Sequence, residues 1–380
     1  MKKLKNLLRL LVAGLFLVGM FAACEGPEGP AGPKGDTGDP GPKGDPGENV
    51  VNWEGYKEGI KCAECHDGDT DSLYLVQGRI YQWAMSKHAT GGAYTENAGR
   101  CAYCHTTEAF VQIDMGKMPT DQPNGSPPGC FACHSPHSRA DFSLRTVDPV
   151  TLIAGVVGEP DQTFDYGKGN LCANCHRPRD PQYGSSNINP KPDPTKTAAT
   201  DTIKITTSRW YQHYGVQAPM LAGYNGFEFQ GYTYSNSFHT TSSVIQDEGC
   251  VICHMAQDVE TVLGGHSMNL ADEEDNELVV GCETSGCHAS GMVLDYEGTR
   301  TEIEGLLDSL HTLLLDREWI TASGSVNAST SNPLYIAPAY LSGAMYNYYF
   351  VEHDLSLGAH NTKYARQLLE SSIEELTATK

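Results

Sequence analysis

Basic side chains are scarce in this 380-residue chain: 26 Lys and Arg stand against 47 Asp and Glu, for a formal charge of −21. Phosphate neutralisation needs clustered cations, so the balance argues against nucleic-acid binding. Charged residues are only 19% and hydrophobic residues 39%, which is too apolar for a disordered protein. Glycine and proline, at 40 and 21 residues, make it too loop-rich for a helical bundle. The apolar run from Leu10 to Phe21 is too short for a membrane span.

Lys2, Lys3, Lys5 and Arg9 precede that run, which ends in Phe21-Ala22-Ala23-Cys24, and this order reads as a lipoprotein signal peptide over residues 1–23. Cys24 after small residues resembles the bacterial lipobox, whose cysteine is lipidated and becomes the mature N-terminus. Phe21 is an unusual occupant of the third position before it, and plain signal cleavage is the alternative. An acidic body repels anionic surfaces, so attachment to a membrane is expected through acyl chains rather than a basic patch. Glycine then recurs at Gly26, Gly29, Gly32, Gly35, Gly38, Gly41, Gly44 and Gly47, so residues 24–49 read as a lipidated cysteine plus a collagen-like Gly-X-Y spacer. Lys34-Gly35-Asp36 and Lys43-Gly44-Asp45 could pair between strands of a homotrimer, while a single polyproline-II strand of roughly 75 Å is the other reading. Either form holds the body away from the membrane.

The informative feature is a repeated motif: Cys62-Ala63-Glu64-Cys65-His66, Cys101-Ala102-Tyr103-Cys104-His105, Cys130-Phe131-Ala132-Cys133-His134, Cys172-Ala173-Asn174-Cys175-His176 and Cys250-Val251-Ile252-Cys253-His254. A sixth copy has a wider gap, from Cys282 to Cys287 and His288. Cys-x-x-Cys-His is the attachment signature of c-type haem. Two thiols one turn apart add to the two vinyl groups on one porphyrin edge, and the adjacent histidine lies under the iron. Composition alone would give roughly 0.02 such matches by chance. Zinc ribbons pair Cys-x-x-Cys sets without an obligatory histidine, iron–sulfur clusters take four thiolates, and a thioredoxin-like dithiol needs a single motif in a βαβ setting. Six motifs and Cys24 use all thirteen cysteines, leaving none for a disulfide framework.

Six covalently attached haems leave about 55 residues each, fewer than a small domain needs for its own core. The porphyrins must supply much of the apolar interior. The expected fold is therefore mostly α with much irregular loop, a haem-packed core, few short strands and C-terminal helices. Residues 50–300 form the six-haem-binding region, and residues 301–380 a helical region packed on it. Ile303, Leu306, Leu307, Leu310, Leu313 and Leu314 follow helical spacing, Tyr340 to Tyr348 less cleanly, and Tyr364, Leu368, Leu369 and Ile373 again. Phe142 to Val147 alternates like an isolated strand. Asp67, Asp69 and Asp71 resemble the start of a calcium loop, but Ser72 and Gly78 occupy positions that a calcium loop gives to Gly and Glu, and a solvated acidic turn is the plainer reading.

Fourteen histidines less six proximal ones leave His88, His137, His213, His239, His266, His311, His353 and His360. Several sit in phrases that resemble multihaem c-type cytochromes related to pentahaem nitrite reductase and octahaem hydroxylamine oxidoreductase. The phrases are Trp83-Ala84-Met85-Ser86-Lys87-His88, Cys133-His134-Ser135-Pro136-His137, His213-Tyr214-Gly215-Val216-Gln217, Ser235-Asn236-Ser237-Phe238-His239, Gly264-Gly265-His266-Ser267-Met268 and Asp354-Leu355-Ser356-Leu357-Gly358-Ala359-His360-Asn361. Cys253-His254-Met255 belongs with them, and the resemblance covers most of residues 60–375. It implies that His88, His137, His213, His239, His266 and His360 are distal iron ligands. His311 and His353 match no ligand phrase and are expected to be structural. His137 is too near His134 to cap the same iron, so it is expected to serve a neighbouring one.

The chain departs from those enzymes: no Cys-x-x-Cys-Lys motif occurs, and no tyrosine is identifiable as a haem cross-link. Six distal histidines allow every iron to be closed, which favours an exported, lipid-anchored electron carrier at the outer membrane, on its periplasmic side or at the cell surface. Its partners would be redox proteins or an extracellular acceptor. One alternative is a reductase of nitrite, hydroxylamine or a sulfur oxyanion at one open haem, with His213 free for acid–base work. Another is a subunit of a cytochrome oligomer or filament.

Overall fold

The computed structural model describes residues 75–179, 188–257, 263–274, 276–283 and 287–379. The signal peptide, Cys24, the Gly-X-Y spacer, the first motif from Cys62 to His66, and Asp67, Asp69 and Asp71 lie outside the described residues. The helices in chain order are α1 Val76–Ala84, α2 Lys87–Thr90, α3 Gly99–His105, α4 Thr107–Asp114, α5 Cys130–Cys133, α6 Pro136–Arg139, α7 Gly169–Ala173, α8 Gln217–Ala222, α9 Phe238–Thr241, α10 Ser243–Glu248, α11 Val251–His254, α12 Thr299–Asp316, α13 Ser342–Asp354 and α14 Thr362–Ala378. Strands β1 Val150–Leu152 and β2 Gln162–Phe164 pair antiparallel, as do β3 Ile203–Ile205 and β4 Leu334–Ile336. Among the described residues the fold is mostly helical with irregular loops, and only the C-terminal helices are long.

Those three helices form the largest apolar core. Helix α12 buries Ile303, Leu307, Leu310 and Leu314, while Leu306 and Leu313 pack at its margin. Its first turn is held by Asp295, whose Oδ1 accepts from the Arg300 and Thr301 amides at 2.7 and 3.1 Å. Helix α13 is buried on nearly every side, which is why its sequence shows little helical period. Helix α14 adds Tyr364, Ala365, Leu368 and Leu369. Trp210, Phe227 and Phe229 complete this core, and burying each such side chain contributes about 1.5–3 kcal/mol.

Two contacts tie the C-terminal helices to the loops before them. Ile203 stands opposite Ile336 in the β3–β4 pair. Asn347 uses its side-chain amide as a strand would, accepting from Phe227 N at 2.7 Å and donating to Phe227 O at 2.8 Å. The described residues all fall in one compact unit, Asn49–Lys380. Among them no helix is long and apolar enough to cross a membrane.

The expected strand at Phe142 to Val147 reduces to a single bridge between Leu144 and His134. Buried Arg145 is the reason. Its guanidinium donates to Phe131 O at 2.8 Å and to His134 O at 3.0 Å, taking carbonyls that a strand partner would need. Its own amide donates to Cys133 O at 2.7 Å. The chain is thereby wrapped around the third motif rather than paired along it.

Candidate functional site

The second to fifth motifs are each built on a tight turn. Helix α3 carries Cys101, Cys104 and His105, α5 carries Cys130 and Cys133, α7 carries Cys172, and α11 carries Cys253 and His254. Residues i and i+3 of a helical turn share a face, so paired thiols project together. The histidine closes the turn by donating its amide to the first cysteine's carbonyl: His134 to Cys130 at 2.8 Å, His176 to Cys172 at 2.9 Å and His254 to Cys250 at 3.0 Å. His288 donates to Cys282 in the same way at 3.1 Å, so the wider sixth motif ends in the same bond.

Every described motif histidine faces one histidine from outside the motifs. The ring centroids of His176 and His88 are 6.0 Å apart, His105 and His213 6.0 Å, His134 and His266 6.3 Å, His288 and His239 6.1 Å, and His254 and His360 6.2 Å. Ordinary ring contacts reach the same spacing, as Trp210 and Tyr346 do at 6.3 Å, so what sets these five apart is that each joins one motif histidine to one non-motif histidine. Two imidazoles bound trans to one metal, each at about 2 Å, have centroids about 6 Å apart. No three His, Cys, Asp or Glu gather to hold a metal ion among the described residues. Two imidazoles facing each other at this spacing would suit a haem held between them, which needs only two ligands from the protein.

The outer nitrogens fix the tautomers. His105 Nδ1 meets Ala93 O at 2.8 Å, His134 Nδ1 Ser143 O at 3.2 Å, His239 Nδ1 Ala359 O at 2.6 Å and His254 Nδ1 Met268 O at 3.1 Å. A carbonyl only accepts, so Nδ1 carries the proton and Nε2 keeps the lone pair for a metal. Gln217 Oε1 accepts from His176 Nδ1 at 3.0 Å, and Asp354 Oδ1 from His360 Nδ1 at 2.7 Å. Burial pushes His88, His254 and His266 down to about 4, which holds the rings neutral. His360 alone among them is shifted upward: burial pulls it down, but the Asp354 carboxylate lifts it further.

Local structure presents these rings. Ser86 caps the one-turn α2 by accepting from Ala89 N at 3.2 Å, which sets His88. Asn361 accepts from Ser237 N at 2.9 Å and donates to Asn236 Oδ1 at 2.8 Å, joining the His239 segment to the start of α14. Gln82 Oε1 accepts from His266 N at 3.2 Å.

The motifs also adjoin one another. Cys104 and Cys175 are in side-chain contact, as are Cys172 and Cys250. Cys133 lies within electrostatic reach of Cys172, and Cys253 of Cys282 and Cys287. Gly249, at φ +59°, allows the fourth and fifth motifs their approach. A Cβ there would stand 2.5 Å from Gly169 Cα and 2.5 Å from Tyr166 O.

His213 has a different neighbourhood. Arg179 Nη2 lies 3.0 Å from its Nδ1 and 3.2 Å from its Nε2, and burial with this cation pushes His213 down to about 3. Tyr214 and Tyr211 lie beside it with His353, whose ring is 4.2 Å from Tyr214 and 4.7 Å from Tyr211. His353 Nε2 meets Glu352 at 3.0 Å and His311 packs on Tyr348, so neither joins a ring pair. His137 packs on Phe131, and His66 lies outside the described residues. Arg179, Asp354 and Gln217 were not singled out from the sequence. Asp354 and Gln217 stand inside quoted ligand phrases, but Arg179 carries no sequence signal.

No protein-family model and no curated protein matches the chain. Among solved structures it is similar to the outer cell wall cytochrome OcwA, at a TM-score of 0.46 and 20% identity, over 78% of this chain and half (50%) of that one.

Proposed function

We propose that the chain is an exported hexahaem c-type cytochrome that transfers electrons along a series of bis-histidine centres. The observation that carries this reading is the one-to-one matching of motif and non-motif histidines at trans-ligand spacing. Bound haem supplies one-electron iron chemistry. The twelve motif cysteines would attach it, and His66, His105, His134, His176, His254 and His288 would be proximal ligands. Distal ligands follow from the ring pairs: His213 for the second motif, His266 for the third, His88 for the fourth, His360 for the fifth and His239 for the sixth. His137 is left for the first motif, opposite His66. Exposed Phe238, Tyr214 and Met85, each within three residues of a distal histidine, offer apolar surface for porphyrin faces.

The adjoining cysteines support an order. The second, third and fourth motifs share one apolar cluster around Tyr103, Phe110, Ala132 and Leu171, and the fifth links the fourth to the sixth. Electrons would enter or leave through redox partners at either end, with Cys24 lipidated and the Gly-X-Y segment as a spacer from the membrane. Low-temperature EPR of the haem-loaded protein, quantified against haem content, tests the reading. Low-spin signals for all six irons are expected, and a stoichiometric high-spin signal would defeat the closed-centre version.

A second reading is favoured by Arg179. A guanidinium on both nitrogens of His213 competes with ligation and suits an anion. If His213 is displaced, the second motif's iron opens beside Arg179, Tyr214 and His353, and the chain becomes a reductase of nitrite, hydroxylamine or a sulfur oxyanion. That high-spin signal, lost on adding the substrate anion, is its signature. For the oligomer version, sizing with and without residues 24–49 decides; a monomer in both forms ends it.

A further inference from the structure

The partners of the outer nitrogens differ in charge. His105, His134, His239 and His254 meet backbone carbonyls and His176 meets an amide oxygen. Within the five ring pairs His360 alone meets a carboxylate, and Asp354 is 2% exposed; His353, which meets Glu352, joins no pair. Asp354 is the last residue of α13, and Leu355 turns the chain back at φ +61°, so that the carboxylate faces His360 six residues on. Its other oxygen, Oδ2, accepts from Ser356 Oγ. A buried carboxylate on Nδ1–H gives the imidazole anionic character, makes it a stronger donor and stabilises the ferric over the ferrous iron.

We propose that Asp354 tunes the fifth-motif centre through His360 and makes it harder to reduce than the other described centres. This rests on reading His360 as the distal ligand of that centre. The fifth motif lies between the fourth and the sixth, by the Cys172–Cys250 contact and the reach of Cys253 to Cys282 and Cys287. One electron passing inward oxidises a ferrous fourth centre and reduces a ferric fifth, with no ligand bond made or broken. Asp354 opposes that step and favours the next, out to the sixth, so electrons cross the middle of the chain without resting there. Asp354 is thus a positioning and tuning residue that acts through His360.

The test is a spectroelectrochemical titration of haem-loaded wild type, Asp354→Asn and Ser356→Ala, with haem content and EPR of each. Asp354→Asn is expected to raise the reduced-to-oxidised ratio of one haem about tenfold at fixed potential, a positive shift of about 59 mV, and to move one low-spin signal. Ser356→Ala removes the competing donor, so the same haem should move the opposite way. Six attached haems with unmoved transitions in Asp354→Asn, or a shift of the same sign in both variants, overturns the proposal. Should Asp354→Asn fail to fold, the sign in Ser356→Ala decides. A His360→Ala variant with every haem still low-spin would instead refute the ligation reading beneath it.

Discussion

Replacing His88 with Ala should open one identified iron. On the proposed pairing His88 caps the iron of the fourth motif, although the second motif, which begins at Cys101, is its nearest neighbour in sequence. The rings of His88 and His176 stand 6.0 Å apart, a span that a methyl group cannot bridge. His254 also lies in electrostatic reach of His88, but it is held by Met268 O at 3.1 Å and faces His360 at 6.2 Å, so it cannot take over. The Ser86 cap does not involve the lost ring, so α2 should persist. EPR spin counting against haem content is expected to show about one sixth of the iron high-spin, with all six haems still attached. Double variants then test the pairing itself. His88→Ala with His176→Ala disturbs the same centre and stays at about one sixth, whereas His88→Ala with His66→Ala disturbs two and reaches about one third. The reverse outcome, additive for His176 and non-additive for His66, would refute the ligand assignment.

Gly249→Ala forces a side chain into a glycine-only conformation against Gly169, so it should cost at least about 1–3 kcal/mol, read as a lower denaturation midpoint. Leu310→Ala, at a fully buried site of α12, should cost about 2–5 kcal/mol by urea unfolding while the haem spectrum is unchanged. The Thr301 hydroxyl and amide hold the Asp295 carboxyl below the usual carboxylate range. A depressed folded pKa contributes stability that is present above the unfolded value and lost as pH falls through the folded one. Wild type should therefore be more stable than Asp295→Asn at pH 7, and the gap should close in acid; a pH-independent gap would count against it.

How much was legible depends on the range of the chemistry. Covalent attachment of haem would demand two thiols and a histidine within one turn, so motif residues such as Cys172, Cys175 and His176 stand out by spacing alone. The stripe of Ile303, Leu307, Leu310 and Leu314 was equally plain, because α12 has one wet face. Helix α13 was blurred because it has none. The partnering of His88 with His176 was hidden, since it depends on how distant loops thread past one another. Arg145 shows the same limit: its sequence neighbours alternate like a strand, but the carbonyls it takes lie on another segment. The three-residue strands β1 to β4 are too short to leave a period.

The five ring pairs interleave along the chain. His105 and His134 lie between His88 and its counterpart His176, while theirs, His213 and His266, come later still; His254 likewise sits between His239 and His288 and waits for His360. Loop-closure entropy grows only slowly with length, by about 0.6 kcal/mol per doubling, so such long crossing arcs cost little more than nested ones. Their consequence is temporal. On the proposed ligation, a chain emerging N-terminus first would hold its second- and third-motif haems by one histidine each until His213 and His266 arrived. Closure would then be stepwise, at His176, His213, His266, His288 and finally His360, and a chain cut between His254 and His360 would leave the fifth-motif iron open on one side.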